Sequence, residues 1–466
     1  MTPDIIFSDA TALADLIRTK QLSPVEVVQA HLDRITAVDP QVNAIVSVAD
    51  GALVAAKEAE AAVMAGEELG PLHGVPFTVK DSIDTAGVPT QRGSPIFRGR
   101  RPEADATSVA RMKKAGGILL AKTNLPEFSY WIESDNLLSG RSNNPWDLTR
   151  TPGGSSGGES AAIAAGMSPL GLGTDLAISV RGPAAQTGIV SLKATHGRVP
   201  MTGIWPRAPR RFWHVGPMAR SIRDLALAFS QLAGPDGEDA FATSSVPFDA
   251  GVTTDRTLRV GWMVGPGFGP IDTQVAATVK AAAEALKGEG HNVEEVRIPA
   301  LERDFALDVF NKLHVMEMKP AFRQATAGHE DQMYKMAKTM LSLPDTSMED
   351  YVAAEQAAER LRDGYAAYFR HYDVLLTPVL PVPAHKHGIR ELVVNGETVD
   401  LTYLQGATVP LNVTGLPGLS MRFGTSREGL PINVQLVGSW QAEATILHAA
   451  SVLERVSPVR DLRPSL

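Results

Sequence analysis

A stretch rich in glycine, serine and alanine covers residues 150–198, and apolar residues are interspersed along its whole length. A flexible linker shares the glycine and serine content, but it lacks the regular apolar residues that bury a segment. Glycine allows backbone conformations, and close approaches between chain segments, that a Cβ atom prevents. The stretch therefore predicts tightly packed backbone inside a hydrophobic core rather than a disordered connection.

The composition of the 466 residues, 44% hydrophobic and 21% charged, is typical of a globular protein with a sizeable core. A net charge of -8 argues against nucleic acid and anionic membranes as partners. The chain has no cysteine, which excludes disulfides, thiol nucleophiles and cysteine-ligated metals. The first residues lack the pattern of a secretory signal, and no apolar run reaches the ~18 residues of a membrane span, so we expect a cytoplasmic protein.

Strand and helix patterns alternate along the chain. The sequence S-P-V-E from Ser23 combines a capping box with a proline at the first helical position, which predicts a helix start. The apolar residues 74–79 predict a buried strand that ends at Lys80. A helical pattern over 106–115, a short apolar strand at 118–121 and a mainly helical region at 306–369 follow. This rhythm predicts an α/β fold with a mixed sheet flanked by helices.

The first motif that indicates chemistry is T-P-G-G-S-S-G-G-E-S, which begins at Thr151 and contains Ser155. Glu159 and the alanines after it predict a helix whose free N–H groups point back at the serines. A Walker-type phosphate loop needs Gly-Lys before Ser or Thr, and the chain contains no Gly-Lys pair. The motif formally matches a nucleophile elbow. However, the elbow needs a buried strand before the serine, and residues 144–150 are polar and interrupted by proline.

Two further residue types complete the candidate chemistry. Ser179 follows a predicted strand, with Asp175 and Arg181 nearby, and by themselves these residues are equally consistent with a structural serine and an ion pair. Lys80 lies at the end of its apolar strand. Most lysines are solvated, but burial lowers the pKa of an amine, and a neutral amine is a competent base near pH 7. Serine–lysine pairs are an established variant of histidine-based triads.

Three motifs occur in order along the chain and together resemble the amidase signature family: V-K-D, G-G-S-S-G-G and G-T-D-x-x-x-S-x-R-x-P-A. Matching segments also include P-L-H-G-V-P before Lys80 and G-L-P-I-N-V-Q-L-V-G from Gly429, so the resemblance extends over nearly the whole chain. It implies one α/β domain over residues 1–466, in which helices cover both faces of a mixed β-sheet. It also implies a helical substrate-pocket region around 303–371.

The resemblance implies a role for each motif. Ser179 matches the nucleophile that attacks the acyl carbonyl, and Ser155 matches a bridging serine that follows a cis peptide bond. Lys80 matches the base that returns the proton to the leaving amine. The implied activity is that of a serine-type amidohydrolase that cleaves non-peptide C–N bonds of small or aryl amides through an acyl-enzyme. Carbamates (urethanes) and esters are further candidate substrates, and neither a cofactor nor a metal is implied.

The chain departs from the family pattern beside the nucleophile, because Ala177 and Ile178 stand where the family has two glycines. The backbone N–H groups of Leu176, Ala177 and Ile178 are expected to form the oxyanion hole. A positive φ is strained at a residue with a Cβ, and most of all at a β-branched one. We therefore expect negative φ at both positions and working donors. A catalytically impaired member that acts as a binding protein is the alternative.

Substrate contacts are expected from Tyr130, Trp131, Gly154 and Trp213, and from the helical residues 313–343 with their methionines. The aromatic side chains are equally consistent with core packing. If these residues line the site, they form an apolar, adaptable pocket that suits aryl or aliphatic amides.

A monomer or homodimer that acts on a small-molecule amide, carbamate or ester is the expected state of the protein. The main alternative enzyme is the glutaminase-type subunit of a tRNA-dependent amidotransferase, which shares the three catalytic positions. His385 and His387 are the candidate metal pair in the sequence. They lack a third ligand, so we expect them in a solvated loop.

Overall fold

The computed structural model describes residues 4–243, 248 and 256–466. Its strands in chain order are β1 (Ile45–Val48), β2 (Pro76–Lys80), β3 (Ile118–Thr123), β4 (Asp135–Asn136), β5 (Gly140–Arg141), β6 (Leu170–Asp175), β7 (Val190–Lys193), β8 (His214–Ala219), β9 (Arg259–Trp262), β10 (Asn292–Glu295), β11 (Val374–Pro378), β12 (Glu391–Val394), β13 (Glu397–Asp400), β14 (Gly418–Thr425) and β15 (Pro431–Val437). Its α-helices are α1 (Ala10–Arg18), α2 (Pro24–Val42), α3 (Ala52–Ala65), α4 (Thr107–Lys114), α5 (Gly157–Ala164), α6 (Arg181–Thr187), α7 (Ile222–Leu232), α8 (Thr273–Gly288), α9 (Pro299–Arg303), α10 (Ala306–Thr326), α11 (Lys335–Ser342), α12 (Met348–Phe369), α13 (Val409–Thr414) and α14 (Glu443–Val456). None of these helices is both long and apolar enough to cross a bilayer.

Eleven of the described strands form one mixed sheet, in the order β1-β3-β2-β6-β8-β7-β14-β15-β11-β9-β10. Strand β2 lies between β3 and β6 and runs parallel to both, whereas β8 pairs antiparallel with β6 and β7. Helix α5 packs against β2, β3, β6 and β8, and α6, α7, α8 and α14 pack against strands further along the sheet. The predicted α/β fold, a mixed sheet covered by helices on both faces, is confirmed.

The position of β2 explains where its last residue lies. All five residues of β2 are buried, because a parallel strand inside a sheet is covered on both faces. Since β2 and β6 are parallel neighbours, their carboxyl ends lie at the same edge of the sheet. Lys80 ends one strand and Asp175 the other, so the fold brings Lys80 close to the segment that contains Ser179.

The local signals for helices are also confirmed. Helix α2 begins at Pro24, Ser23 caps it, and the Glu26 carboxylate accepts a hydrogen bond of 2.8 Å from the Ser23 N–H. The region predicted as mainly helical forms α10, α11 and α12. Gly328, with φ of 77°, lies two residues after α10, and Pro344 lies two residues after α11. Both residue types favour chain reversal over helix continuation.

The glycine- and serine-rich stretch lies in the interior as predicted, and every residue from 151 to 187 is buried. A Cβ added to Gly158 would lie 2.5 Å from backbone atoms of Asn124, so α5 approaches the chain after β3 more closely than a larger residue would allow. Gly153 has φ of 96°, a conformation that residues with a Cβ rarely adopt. The glycines therefore allow the close packing of the segment that contains Ser155.

Candidate active site

The amine of Lys80 lies wholly inside the protein, and the side chain is 0% exposed. Lys80 Nζ is 2.5 Å from Ser155 Oγ and 2.9 Å from Thr174 Oγ1. Burial lowers the pKa of Lys80 well below its usual value of 10.5, and the charges of Asp175 and Glu159 offset this only in part. The structure thus places an amine with a strongly lowered pKa in direct contact with a serine hydroxyl.

Neighbouring side chains hold the segment around Ser155 in place. The peptide bond between Gly154 and Ser155 is cis, as expected from the resemblance. Ser134 Oγ donates a hydrogen bond to the carbonyl of Gly153 and accepts one from the N–H of Gly157, both at 3.0 Å. Helix α5 begins at Gly157, so the backbone on both sides of Ser155 has a defined position.

Ser179 lies in the turn between β6 and α6, and it is 5% exposed. The N–H of Ser156 donates to the carbonyl of Ser179 at 3.1 Å, which links the two serine-containing segments. Within the described residues, Ser179 Oγ makes no hydrogen bond, and Ser179 lines a cavity. Hydrogen bonds of catalytic groups often shorten only when substrate binds. The hydroxyl is therefore accessible to a ligand in the cavity.

A buried ion pair fixes this turn. Asp175 and Arg181 are fully buried and 3.0 Å apart. Burial alone would raise the pKa of Asp175, but Arg181 and the hydrogen bonds of the carboxylate lower it below its ordinary value. Asp175 also accepts a hydrogen bond of 3.1 Å from the N–H of Val180, and Arg181 donates one of 3.1 Å to the carbonyl of Ala177. Both partners of the ion pair thus hold the backbone on either side of Ser179.

The same turn contains the three N–H groups that are expected to form the oxyanion hole. Neither Ala177 nor Ile178 has a positive φ, which confirms the prediction made for them. In the described part of the chain, no acceptor bonds to the N–H groups of Leu176, Ala177 or Ile178. All three residues line the cavity next to Ser179. Unpaired donors of this kind can stabilise negative charge on a carbonyl oxygen.

The cavity at Ser179 has a volume of about 510 Å³. Its wall includes Tyr130 and Trp131, two of the residues expected to contact substrate, and Met336 and Met340 from α11. Two other predicted substrate contacts have a different environment. Trp213 is 1% exposed, packs in the hydrophobic core and does not line the cavity. A Cβ added to Gly154 would collide with the backbone of residues 131–133. Gly154 therefore packs closely against the segment that contains Trp131.

The two histidines considered as a metal pair do not share a solvated loop. His385 is buried, and its Nε2 is 3.0 Å from a carboxylate oxygen of Glu133, whereas His387 Nε2 is 3.1 Å from Asn143 Oδ1. The predicted exposure is therefore wrong for His385. Residues 133 and 385 are far apart in sequence, and only the fold brings them together.

Glu159 is a residue whose importance the sequence did not reveal. It is fully buried, accepts hydrogen bonds from the hydroxyls of Thr78 and Thr123, and burial raises its pKa to about 7. The signal in the sequence is weak, namely one acid within an otherwise uncharged, alanine-rich helix. Its charge raises the pKa of Lys80 and so opposes the effect of burial on that amine.

Glu159→Gln is therefore expected to shift the rise of activity with pH toward lower pH. Loss of the carboxylate removes a charge that favours the protonated form of Lys80, so the pKa of Lys80 falls further. The measurement is kcat/KM against pH for the wild type and the variant. Asp224→Asn, which changes a buried carboxylate that caps α1, is the matched control and should leave the profile in place. A shift toward higher pH would contradict this coupling.

The chain is similar to proteins of one family over nearly its whole length. The amidase family model matches residues 26–447. A glutamyl-tRNA(Gln) amidotransferase subunit of Symbiobacterium thermophilum is 36% identical over 490 residues, 98% of each chain. The structure of a bacterial aryl acylamidase of the amidase signature family superposes with a TM-score of 0.89 at 28% identity, over 97% of this chain and 96% of that one. The corresponding glutamyl-tRNA(Gln) amidotransferase subunit from Thermotoga maritima gives a TM-score of 0.79 at 29% identity, over 98% of this chain and 96% of that one.

Proposed function

The chain belongs to the amidase signature family of hydrolases that act on C–N bonds, and we propose that it hydrolyses aryl or aliphatic amides, carbamates and esters through a Ser179 acyl-enzyme. One observation carries this proposal. The fully buried amine of Lys80 is 2.5 Å from the hydroxyl oxygen of Ser155, and Ser155 belongs to the segment linked to Ser179. A lysine can act as a base near pH 7 only if its amine is neutral, and burial away from water lowers the pKa of the amine enough to make it so.

In the proposed mechanism one proton passes from Ser179 through Ser155 to Lys80 and then returns to the leaving group. Neutral Lys80 takes the proton of Ser155 as Ser155 takes that of Ser179, and Ser179 Oγ then bonds to the carbonyl carbon. The N–H groups of residues 176–178 stabilise the negative charge on the carbonyl oxygen. The proton returns from Lys80 through Ser155 to the leaving nitrogen, the C–N bond breaks and the amine departs. Water then attacks the acyl-enzyme by the same route, which releases the acid and restores Ser179.

The composition of the cavity wall favours an apolar substrate. Its charged side chains among the described residues, Lys312 and Asp400, are both exposed, and Lys312 also pairs with Asp350 at 3.2 Å. Aromatic, aliphatic and methionine side chains form most of the remaining surface. A wall of this kind favours aryl and alkyl groups. Helices α10 and α11 contribute to this wall, and we assign the pocket function to the helical region 303–371.

A glutaminase-type function is the second candidate, and the sequence similarity favours it. The Symbiobacterium relative is by name one subunit of an enzyme that acts on glutamyl-tRNA(Gln). A chain with that function would need partner subunits and a nucleic acid, contrary to the expectation from net charge. The glutamine head group carries an ammonium and a carboxylate, and both need polar partners when bound. At this cavity the charged side chains of Lys312 and Asp400 are both exposed to solvent, and this supports an apolar substrate rather than glutamine.

A substrate panel with the purified chain separates the two functions. We expect hydrolysis of anilides and aryl carbamates, with kcat/KM for glutamine at least ~100-fold lower, since a hydrophobic wall leaves the charged head group unpaired. Ammonia release from glutamine at a comparable rate would favour the amidotransferase function. The solution mass of the active species, as monomer, homodimer or larger complex, completes the test.

A further inference from the structure

Two polar side chains form a hydrogen-bonded pair in the largely apolar wall of the cavity. Tyr130 Oη and His314 Nε2 are 3.0 Å apart, and both residues line the cavity together with Ser179. Tyr130 belongs to the segment after β3, whereas His314 belongs to α10. The pair therefore joins the segment beside the serines to the helical part of the wall.

The direction of this hydrogen bond follows from the surroundings of His314. Its Nδ1 is 2.8 Å from the carbonyl oxygen of Phe310, which can only accept, so Nδ1 carries the hydrogen. Burial lowers the pKa of His314 to about 4, so the ring is neutral at pH 7 and Nε2 is an acceptor. Tyr130 must then donate its hydroxyl hydrogen to Nε2. The ring of His314 stacks on that of Phe310 with centroids 4.0 Å apart, which limits its reorientation.

We propose that His314 holds the only hydrogen of the Tyr130 hydroxyl, so that the tyrosine oxygen acts toward the substrate solely as a hydrogen-bond acceptor and selects substrates with an N–H group. This inference rests on the proposed function and specifies its substrate class as secondary amides and N-substituted carbamates, in preference to matched esters. Tyr130 contacts the substrate, and His314 acts as a positioning residue.

The preference has a simple physical cause. The N–H of an anilide or carbamate satisfies the free lone pair of the Tyr130 oxygen, whereas an ester of the same shape offers only another acceptor. An acceptor left without a partner in an apolar cavity carries a desolvation penalty. Packing alone does not require the hydroxyl. The edge-to-face contact of Tyr130 with Phe322, at 5.7 Å between ring centroids, is one that phenylalanine would also make.

The first test is Tyr130→Phe with two matched substrates, acetanilide-type amides and the corresponding phenyl esters. The amide-to-ester ratio of kcat/KM is expected to fall by about 10-fold or more, since one hydrogen bond to the amide is lost. Because both substrates are measured on the same preparation, partial unfolding of the variant lowers both rates and leaves the ratio unchanged.

The second test addresses His314 by conservative rescue. His314→Leu removes the acceptor and frees the Tyr130 hydroxyl to donate, so the amide-to-ester ratio should fall in this variant too. The side-chain oxygen of glutamine can occupy a position similar to that of Nε2 and accept from Tyr130. His314→Gln should therefore restore most of the ratio. A purely structural role of His314 predicts equal losses for both substrates and no such rescue.

The outcomes separate this inference from the proposed function. An unchanged ratio in Tyr130→Phe, or a ratio that falls equally in the leucine and glutamine variants of His314, overturns the inference while Ser179-dependent hydrolysis stands. If the wild-type chain hydrolyses neither amide nor ester, the proposed function fails as well. An amide-to-ester ratio that falls in Tyr130→Phe and His314→Leu and recovers in His314→Gln supports the inference about Tyr130 and His314.

Discussion

Replacement of Ser179 by alanine is expected to lower kcat/KM for an aryl amide by at least ~10³-fold, because loss of a catalytic serine leaves only binding and oxyanion stabilisation. A serine-directed sulfonyl fluoride should add its mass to the wild-type chain and not to the variant, as read by intact mass. Ser179 lines the cavity, and its hydroxyl makes no hydrogen bond within the described residues, so we expect it to be accessible to such a reagent.

Ser168→Ala is the matched control for this experiment. Ser168 is also buried, and its hydroxyl donates to the carbonyl of Leu170 at 2.7 Å, in the connection between α5 and β6. Its replacement should preserve both labelling and turnover. A Ser179→Ala variant that still reacts with the sulfonyl fluoride, or still hydrolyses amides at the wild-type rate, would identify another nucleophile. A wild-type chain that neither reacts nor turns over would instead indicate the impaired, ligand-binding alternative.

Replacement of Lys80 by methionine is expected to reduce amide hydrolysis by ~10³-fold or more and ester hydrolysis less. Methionine is about as long and fills the buried space, but it cannot carry a proton. Amide hydrolysis needs the base twice, first to take the proton from the serine and then to deliver it to the leaving nitrogen. An ester depends less on the second transfer, because its alcohol or phenol is a better leaving group. Kinetics with matched amide and ester substrates measure the difference.

The pH dependence of the wild-type enzyme tests the same assignment. Burial lowers the pKa of Lys80 below the ordinary 10.5, and the base is active only without its proton. Activity should therefore rise with pH through this lowered pKa and reach its maximum on the alkaline side. Lys193→Met is the matched control, because Lys193 is a second fully buried lysine whose pKa burial lowers, and it contacts His214 and not Ser155. This variant should retain the pH profile.

Thermal stability distinguishes lost chemistry from lost folding. The unfolded chain protonates Lys80 below pH 10.5, whereas the folded chain holds it neutral down to a lower pH, so between these two values unfolding takes up a proton. Lys80 thus destabilises the fold increasingly as pH falls from 10.5 toward its lowered pKa. Lys80→Met removes this effect and should raise Tm at neutral pH. An inactive variant with a lower Tm would leave misfolding as the explanation of its inactivity.

Local patterns in the sequence were sufficient to predict the elements that carry the site. The apolar run before Lys80 predicted a buried strand, and the glycine-rich stretch predicted a packed segment around Ser155. Both are confirmed by complete burial. Such patterns work because the period and composition of a segment report whether its own surroundings are apolar.

Sequence reasoning failed where distant segments meet. Trp213 resembled a substrate contact, yet it packs in the core, and His385 resembled a solvated residue, yet it is buried beside Glu133. The pairing of Tyr130 with His314 joins residues 184 positions apart and had no signature in the sequence. Local periodicity shows which face of a helix or strand is buried, but it does not show which other helix or strand covers that face.

The sequence by itself determined the family resemblance, the α/β class and the three candidate catalytic positions, because motifs and strand patterns are properties of short segments. The tertiary structure alone decided that Lys80 and Ser155, 75 residues apart, lie in hydrogen-bond contact, and which side chains line the cavity. These contacts depend on the order of strands in the sheet and on the packing of α10 against α11, α12 and α13. That order arises from the burial of many distant surfaces at once.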